Sequence, residues 1–180
     1  MQSTENVIQS ALKLAQRKGW ENVSVRMIAK EIGYSTMKIY SDFGSKEQLL
    51  YEIQKRGFDM LRSAYEKALD PTKAPESNLE TMVIAHVRFA LDRSVLYELM
   101  FDHKFNHCKT DAAKIKQEVC GVFLEVIEAI GVAKPETAFL QLFAMLYGYV
   151  KISKEFSNQN DNLVETTISQ LVKNFVYGIK

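Results

Sequence analysis

Apolar positions recur at helical spacing along almost the whole chain, and no stretch alternates as a strand would. Val7, Ile8, Ala11, Leu12 and Ala15 form one stripe and predict a helix from about Ser3 to Lys18; Gly19 closes it and Trp20 packs beneath. Val25, Ile28, Ala29 and Ile32 fall at i, i+3, i+4 and i+7, between a capping Ser24 and a stopping Gly33. Ser35 caps a short helix from Thr36 to about Asp42. Ile39 and Phe43 point inward, leaving Thr36, Met37, Lys38, Tyr40, Ser41 and Asp42 outward or sideways. Gly44 stops it. Ser45 and Gln48 have the S-x-x-Q spacing of a capping box. The helix they open carries Leu49, Leu50, Ile53, Leu61, Ala64, Tyr65 and Ala68 over about residues 46–69, and Asp70-Pro71 ends it. Gly57 in its middle is about 1 kcal/mol less favourable than alanine, which close packing against a neighbour would explain.

Five more helices are expected, over about Asn78–Leu91, Val95–Asp102, Ala112–Ile130, Pro135–Phe156 and Asn162–Tyr177. Asp111 is a cap, Gly131 a stop and Pro135 a first-turn residue. The expected fold is all-α: an N-terminal three-helix domain (1–47), then a long fourth helix leading into a C-terminal helical bundle (48–180). The last two helices have broad apolar faces. Phe139, Leu142, Leu146 and Val150 on one, with Ile168, Leu171, Val172 and Phe175 on the other, predict a two-fold four-helix interface in a homodimer. The alternative is that these faces simply cover the helix of Ala112 to Ile130.

The segment from Ser24 to Lys46 carries the candidate chemistry. Two short helices meet at a tight turn, and the second is too polar on one side to be core. That is the design of a helix-turn-helix, whose second helix enters the major groove of DNA. Outward hydroxyls, an amine and a phenol suit phosphate oxygens and base edges. Lys46 stands at a helix N-terminus, where backbone N–H groups and positive charge favour a phosphate. The plainer alternative is a corner in an all-helical core.

From Val7 to Leu50 the chain resembles the tetracycline-repressor (TetR) family of bacterial transcription regulators. The residues are the leading helix with Ala11 and Gly19, Val25-x-x-Ile28-Ala29, Gly33-x-Ser35, Ile39-Tyr40-x-x-Phe43 and Ser45-Lys46-x-x-Leu49-Leu50. The resemblance implies DNA contacts at Thr36, Lys38 and Tyr40, and backbone phosphate contacts at Lys46 and Ser24. With Arg26, Ser35, Met37 and Ser41 these make up the candidate DNA-binding set. There are departures. Met37 stands where the family often has a small residue, Lys38 where threonine is frequent, Asp42 where an aromatic is frequent, and Gly44 where proline is. A carboxylate near phosphate is unfavourable, so Asp42 must face a base amine, a lysine or water. The segments Leu96–Phe101 and Leu142–Gly148 resemble the ligand-binding half of one TetR subgroup, with Tyr147 where that subgroup has a histidine. A small-molecule effector is therefore expected, and Phe89, Tyr97, Met100, Phe101, Phe105, Phe123, Phe143 and Tyr147 are the candidates to line its pocket. The same aromatic spacing also suits plain core.

Composition narrows the rest. The 180 residues are 47% hydrophobic and 25% charged, with a net charge of +1, so any attraction for DNA must be local or doubled by dimerisation. The first 47 residues hold seven basic and five acidic side chains. Two cysteines, Cys108 and Cys120, at no metal-like spacing suggest a reducing cytoplasm. No run approaches the ~18 apolar residues of a membrane span, and the N-terminus lacks the apolar core of a signal peptide. His103, His107 and Cys108 are the one cluster of metal-ligating types. Asp102 or Asp111 could complete it, which leaves a metal sensor as the minor alternative; a solvated loop, with no metal and no cofactor, is expected. No catalytic constellation stands out. The expected partners are a palindromic DNA operator, an effector and a second copy of the chain. A small helical enzyme or carrier with a merely structural helix-turn-helix is the alternative, and a protein-interaction scaffold a third reading.

Overall fold

The computed structural model describes residues 2–101, 111–155 and 161–179. Among them are nine α-helices and a short 3-10 turn, with no strand. The helices are α1 (Gln2–Lys18), α2 (Val25–Ile32), α3 (Thr36–Phe43), α4 (Lys46–Ala68), α5 (Pro75–Asp92), α6 (Ser94–Phe101), α7 (Asp111–Ala129), α8 (Pro135–Glu155) and α9 (Asp161–Ile179); the 3-10 turn is Trp20–Asn22. The expected all-α class stands. Helix α5 starts three residues earlier than the apolar pattern indicates, because Pro75 supplies the first turn. Asn78 then lies inside the helix. Its amide donates to the Asp70 carbonyl and accepts from the Asp70 N–H, both at 2.9 Å, which fastens the α4–α5 loop.

The chain forms two compact units. The first takes Met1–Phe58 and Arg93–Ile115, the second Asp59–Asp92 and Lys116–Lys180. In the first, α1 packs on α2, α2 on α3, and α6 on α1. Its core holds Val7, Ile8, Ala11, Trp20, Ile28, Ile39, Leu49 and Ile53. Helix α6 is bound in by side chains from far along the chain. The Trp20 indole N–H donates to the Val95 carbonyl at 2.8 Å, and the buried Gln54 amide donates to the Leu99 carbonyl at 2.6 Å. Gly57 explains itself here: a Cβ would stand 2.6 Å from Met100 Sδ and 3.0 Å from Leu96 Cδ1. Close packing of α4 on α6 is what the glycine permits.

In the second unit α5 packs on both α8 and α9. Leu79, Met82, Val83, His86, Val87 and Ala90 of α5 are all buried. This corrects part of the expected dimer surface. Leu142, Leu146, Val150, Ile168 and Val172 are buried within the single chain, so they offer nothing to a partner. The broad apolar faces of α8 and α9 have α5 between them, a cover the sequence reading left out. Phe139 and Leu171 remain partly exposed, and Phe175 is nearly covered.

Candidate nucleic-acid interface

Local chemistry sets the geometry from Ser24 to Gln48. The Ser24 hydroxyl accepts from the Met27 N–H at 3.3 Å, Ser35 from Lys38 at 3.1 Å and Ser45 from Gln48 at 3.1 Å, so three successive helices are capped by serine oxygens. Only half of the expected capping box forms, because the Gln48 amide turns forward to Glu52 at 3.4 Å. Gly33 ends α2 in the left-handed region at φ 71°, and the Tyr34 N–H closes the turn on the Ala29 carbonyl at 2.9 Å. That is a Schellman end, which reverses the chain within two residues and lets α3 begin at once.

Helix α3 buries Ile39 and Phe43 and turns every other side chain outward. Met37 is 79% and Tyr40 49% exposed. Thr36, Lys38, Ser41 and Asp42 are exposed beside them. Asp42 finds a lysine: Lys38 Nζ lies 2.5 Å from its Oδ1. Ser24, Arg26, Lys30 and Ser35 are exposed and Lys46 half-buried. Among the described residues, Arg26, Lys30 and Lys46 take part in none of the ion pairs, whereas Arg17 is held by Glu31 at 2.5 Å and Arg56 by Glu5. The Glu5 carboxyl is held below its ordinary value by hydrogen bonds from Gln9 and then Arg56. The Arg56–Glu5 pair joins the first half of α4 to α1, and nothing in the sequence pattern marks it.

The candidate pocket residues divide between the two units. Tyr97, Met100 and Phe101 are buried in the first unit, where Phe101 meets Tyr97 at 4.5 Å and Phe58 at 5.5 Å between ring centroids. Phe89, Phe123, Phe143 and Tyr147 belong to the second. Phe123 and Phe143 set their edges against His86, which sequence reasoning passed over. His86 is fully buried, with Nδ1 2.6 Å from the Tyr65 hydroxyl, and burial pushes its pKa down to about 4. The available signal was a lone histidine in the apolar run Met82-Val83-Ile84-Ala85-His86-Val87. Phe105, His103, His107 and Cys108 lie outside the described residues, as does Asp102. A groove of about 700 Å³ runs between α8 and α9, lined by Met145, Thr166, Thr167, Gln170, Leu171, Asn174 and Phe175. Among the described residues no helix is long and apolar enough to cross a membrane.

The sequence profile of bacterial regulatory proteins of the tetR family matches residues 7–53, which span the three serine caps and α3. A second profile, for the C-terminal domain of tetracyclin repressor-like proteins, matches residues 79–171, more than half the chain. The chain belongs to the TetR family. It is thus a DNA-binding transcription regulator by kind, in line with its fold and its helix-turn-helix. Helix-turn-helix transcriptional regulators of Staphylococcus aureus are similar to it, one from strain USA300 at 27% identity over 100 residues and one from strain MRSA252 at 29% over 103. These alignments take in 54% and 57% of this chain and 52% and 50% of the relatives. The chain spans about half the length of the curated relatives it matches. Solved structures share the fold almost end to end. A tetR-family regulatory protein from Rhodococcus RHA1 superposes with a TM-score of 0.81 at 20% identity, covering 99% of this chain and 97% of its own. The TetR family transcriptional regulator PfmR of Thermus thermophilus does so with 0.73 at 21%, covering 97% and 98%.

Proposed function

We propose that this TetR-family chain works in the cytoplasm as a homodimeric repressor, each copy laying the exposed face of α3 in one of two major grooves of a palindromic operator. The observation that carries it is the division of α3: two apolar side chains inward, and Thr36, Met37, Lys38, Tyr40, Ser41 and Asp42 outward. Thr36, Met37, Lys38, Tyr40 and Ser41 meet base edges and nearby backbone. Ser24, Arg26, Ser35 and Lys46 meet phosphates. A serine oxygen that accepts a cap bond keeps its O–H to donate to a phosphate oxygen, and Lys46 adds charge to the N-terminus of α4. Residues 1–47 supply the contacts and 48–180 the control.

Pairing is assigned to α8 and α9 through the groove between them. Met145 lines that groove, and Leu140 and Ile152 of α8 with Leu163 and Tyr177 of α9 are further exposed apolar side chains on the two helices. They replace the buried residues that the sequence pattern nominates. A small molecule held by the second unit would bias the α4 helix, which starts at Lys46 and is continuous into that unit. Effector and operator then oppose each other through one coupling free energy. No catalytic step is involved.

Selection of bound duplexes from a random pool, at fixed salt, tests this. The expected result is an inverted repeat with half-sites about one helical turn apart, and affinity that falls steeply as salt rises. Failure to bind any duplex in dilute buffer refutes it, and turnover of a bound small molecule by such a protein would favour the enzyme or carrier.

A further inference from the structure

We propose that Lys38 and Asp42 act as one unit that reads a G·C base pair, which makes Asp42 a specificity-determining residue; this rests on α3 being the helix that meets DNA. They are the only charged side chains between Thr36 and Phe43. With Nζ and Oδ1 2.5 Å apart on the exposed face, they cancel. The reading helix therefore brings no net charge to the phosphates, and attraction is left to Arg26, Lys30 and Lys46 outside it.

Helix stability gives only a weak reason for the pair. A cation four residues before an anion is the weaker order for such pairs. A carboxylate in the last turn also opposes the helix dipole. Near DNA the same carboxylate repels phosphate. What the pair does supply is a donor and an acceptor fixed side by side.

The major-groove edge of a G·C pair has the matching order. Guanine N7 and O6 accept, and cytosine N4–H donates. O6 and N4 are hydrogen-bonded to each other within the base pair, so they lie about 2.9 Å apart. The ammonium has three N–H bonds. It can keep one on Asp42 and give the others to O6 and N7, while the carboxylate accepts from N4. All three groups on the edge are then satisfied, and the carboxylate faces a donor. An A·T pair presents its donor between two acceptors, so a side-by-side lysine and aspartate satisfy the donor and one acceptor and leave the other acceptor unmet.

The test uses the full-length chain and its selected duplex, with Asp42→Ala, Asp42→Asn, Lys38→Ala and the Asp42→Ala/Lys38→Ala double variant compared by fluorescence anisotropy. Wild type should select G·C at one position in each half-site. Replacing it with A·T should weaken wild type about fivefold to 150-fold, the range for a good bidentate contact. Asp42→Ala should lose the part of that penalty that the cytosine N4 contact carries and bind unrelated duplexes more tightly, and the double variant should discriminate no less than Lys38→Ala alone. Asp42→Asn keeps the side chain's size and guards against a folding effect, which circular dichroism and Tm report. Unchanged base preference at every position in both Asp42 variants, or a selected A·T at the position they alter, overturns the proposal. Wild type that selects no duplex would instead sink the DNA-binding function itself.

Discussion

His86 gives the sharpest prediction about stability. It is fully buried, its Nδ1 is 2.6 Å from the Tyr65 hydroxyl, and the Phe123 and Phe143 rings stand edge-on to it. Burial disfavours the imidazolium and lowers its pKa from 6.5 to about 4. For a base depressed in the folded state the sign is fixed. Above pH 6.5 both states are neutral and pH has no effect through this group. As pH falls below 6.5 the unfolded chain takes a proton that the folded chain refuses, so stability drains away until the folded imidazole also protonates near pH 4. At 1.36 kcal/mol per pH unit the loss over the whole window is about 3 kcal/mol. Urea unfolding of wild type and His86→Gln between about pH 7.5 and 4.5 isolates it, because every other ionisable side chain is common to both proteins. Glutamine retains a polar partner for Tyr65 but does not titrate. The gap between wild type and variant should shrink by most of those ~3 kcal/mol as the pH falls. Parallel curves, or an imidazole NMR titration for His86 near 6.5 in the folded protein, would refute the reasoning.

Three further outcomes are expected. Lys46→Ala should weaken binding to every duplex alike and reduce the slope of log affinity against log salt by about 1.8, for one lost phosphate contact in each copy of the dimer; equal slopes in the two proteins would remove Lys46 from the phosphate contacts. Gly57→Ala should lower Tm although alanine favours helix by about 1 kcal/mol, because its Cβ meets Met100 and Leu96, and Met100→Ala in the same chain should recover part of the loss; a rise in Tm for Gly57→Ala alone would show that α4 and α6 have room. Met145→Glu, at the groove between α8 and α9, should shift sedimentation toward monomer by about tenfold or more in dissociation constant, since an unpaired charge is then buried at the interface; an unchanged dimer would move pairing to another face.

The helix-turn-helix is legible in the sequence because its signals are local. Each serine that caps and each glycine that stops acts within a turn or so of itself, so Ser24, Gly33, Ser35 and Gly44 mark the ends of α2 and α3 without help from the rest of the fold. Lys38 and Asp42 are also within reach of each other by spacing alone. Periodicity says less about what covers an apolar stripe. The faces through Leu142, Leu146, Val150, Ile168 and Val172 are read correctly as apolar, but their cover is α5, at least 50 residues earlier. The aromatic set is ambiguous for the same reason: rings at helical spacing pack against one another as readily as around a ligand, and Phe123 and Phe143 are seen against His86. His86 and Gln54 are harder still, since a polar residue in an apolar stripe is satisfied by a partner from a distant segment, and no local pattern names that partner.

Helix α6 makes the first unit discontinuous along the chain. Trp20 and Gln54 hydrogen-bond to carbonyls of residues 95 and 99, and Gly57 leaves just enough space for Met100. A chimera that exchanged only the first 47 residues for those of another regulator would keep a foreign α6 seated against its new neighbours, and a fragment ending there would leave its one indole facing water. Engineers who wish to transplant this reader intact must carry an excursion of sequence from beyond residue 90 along with it.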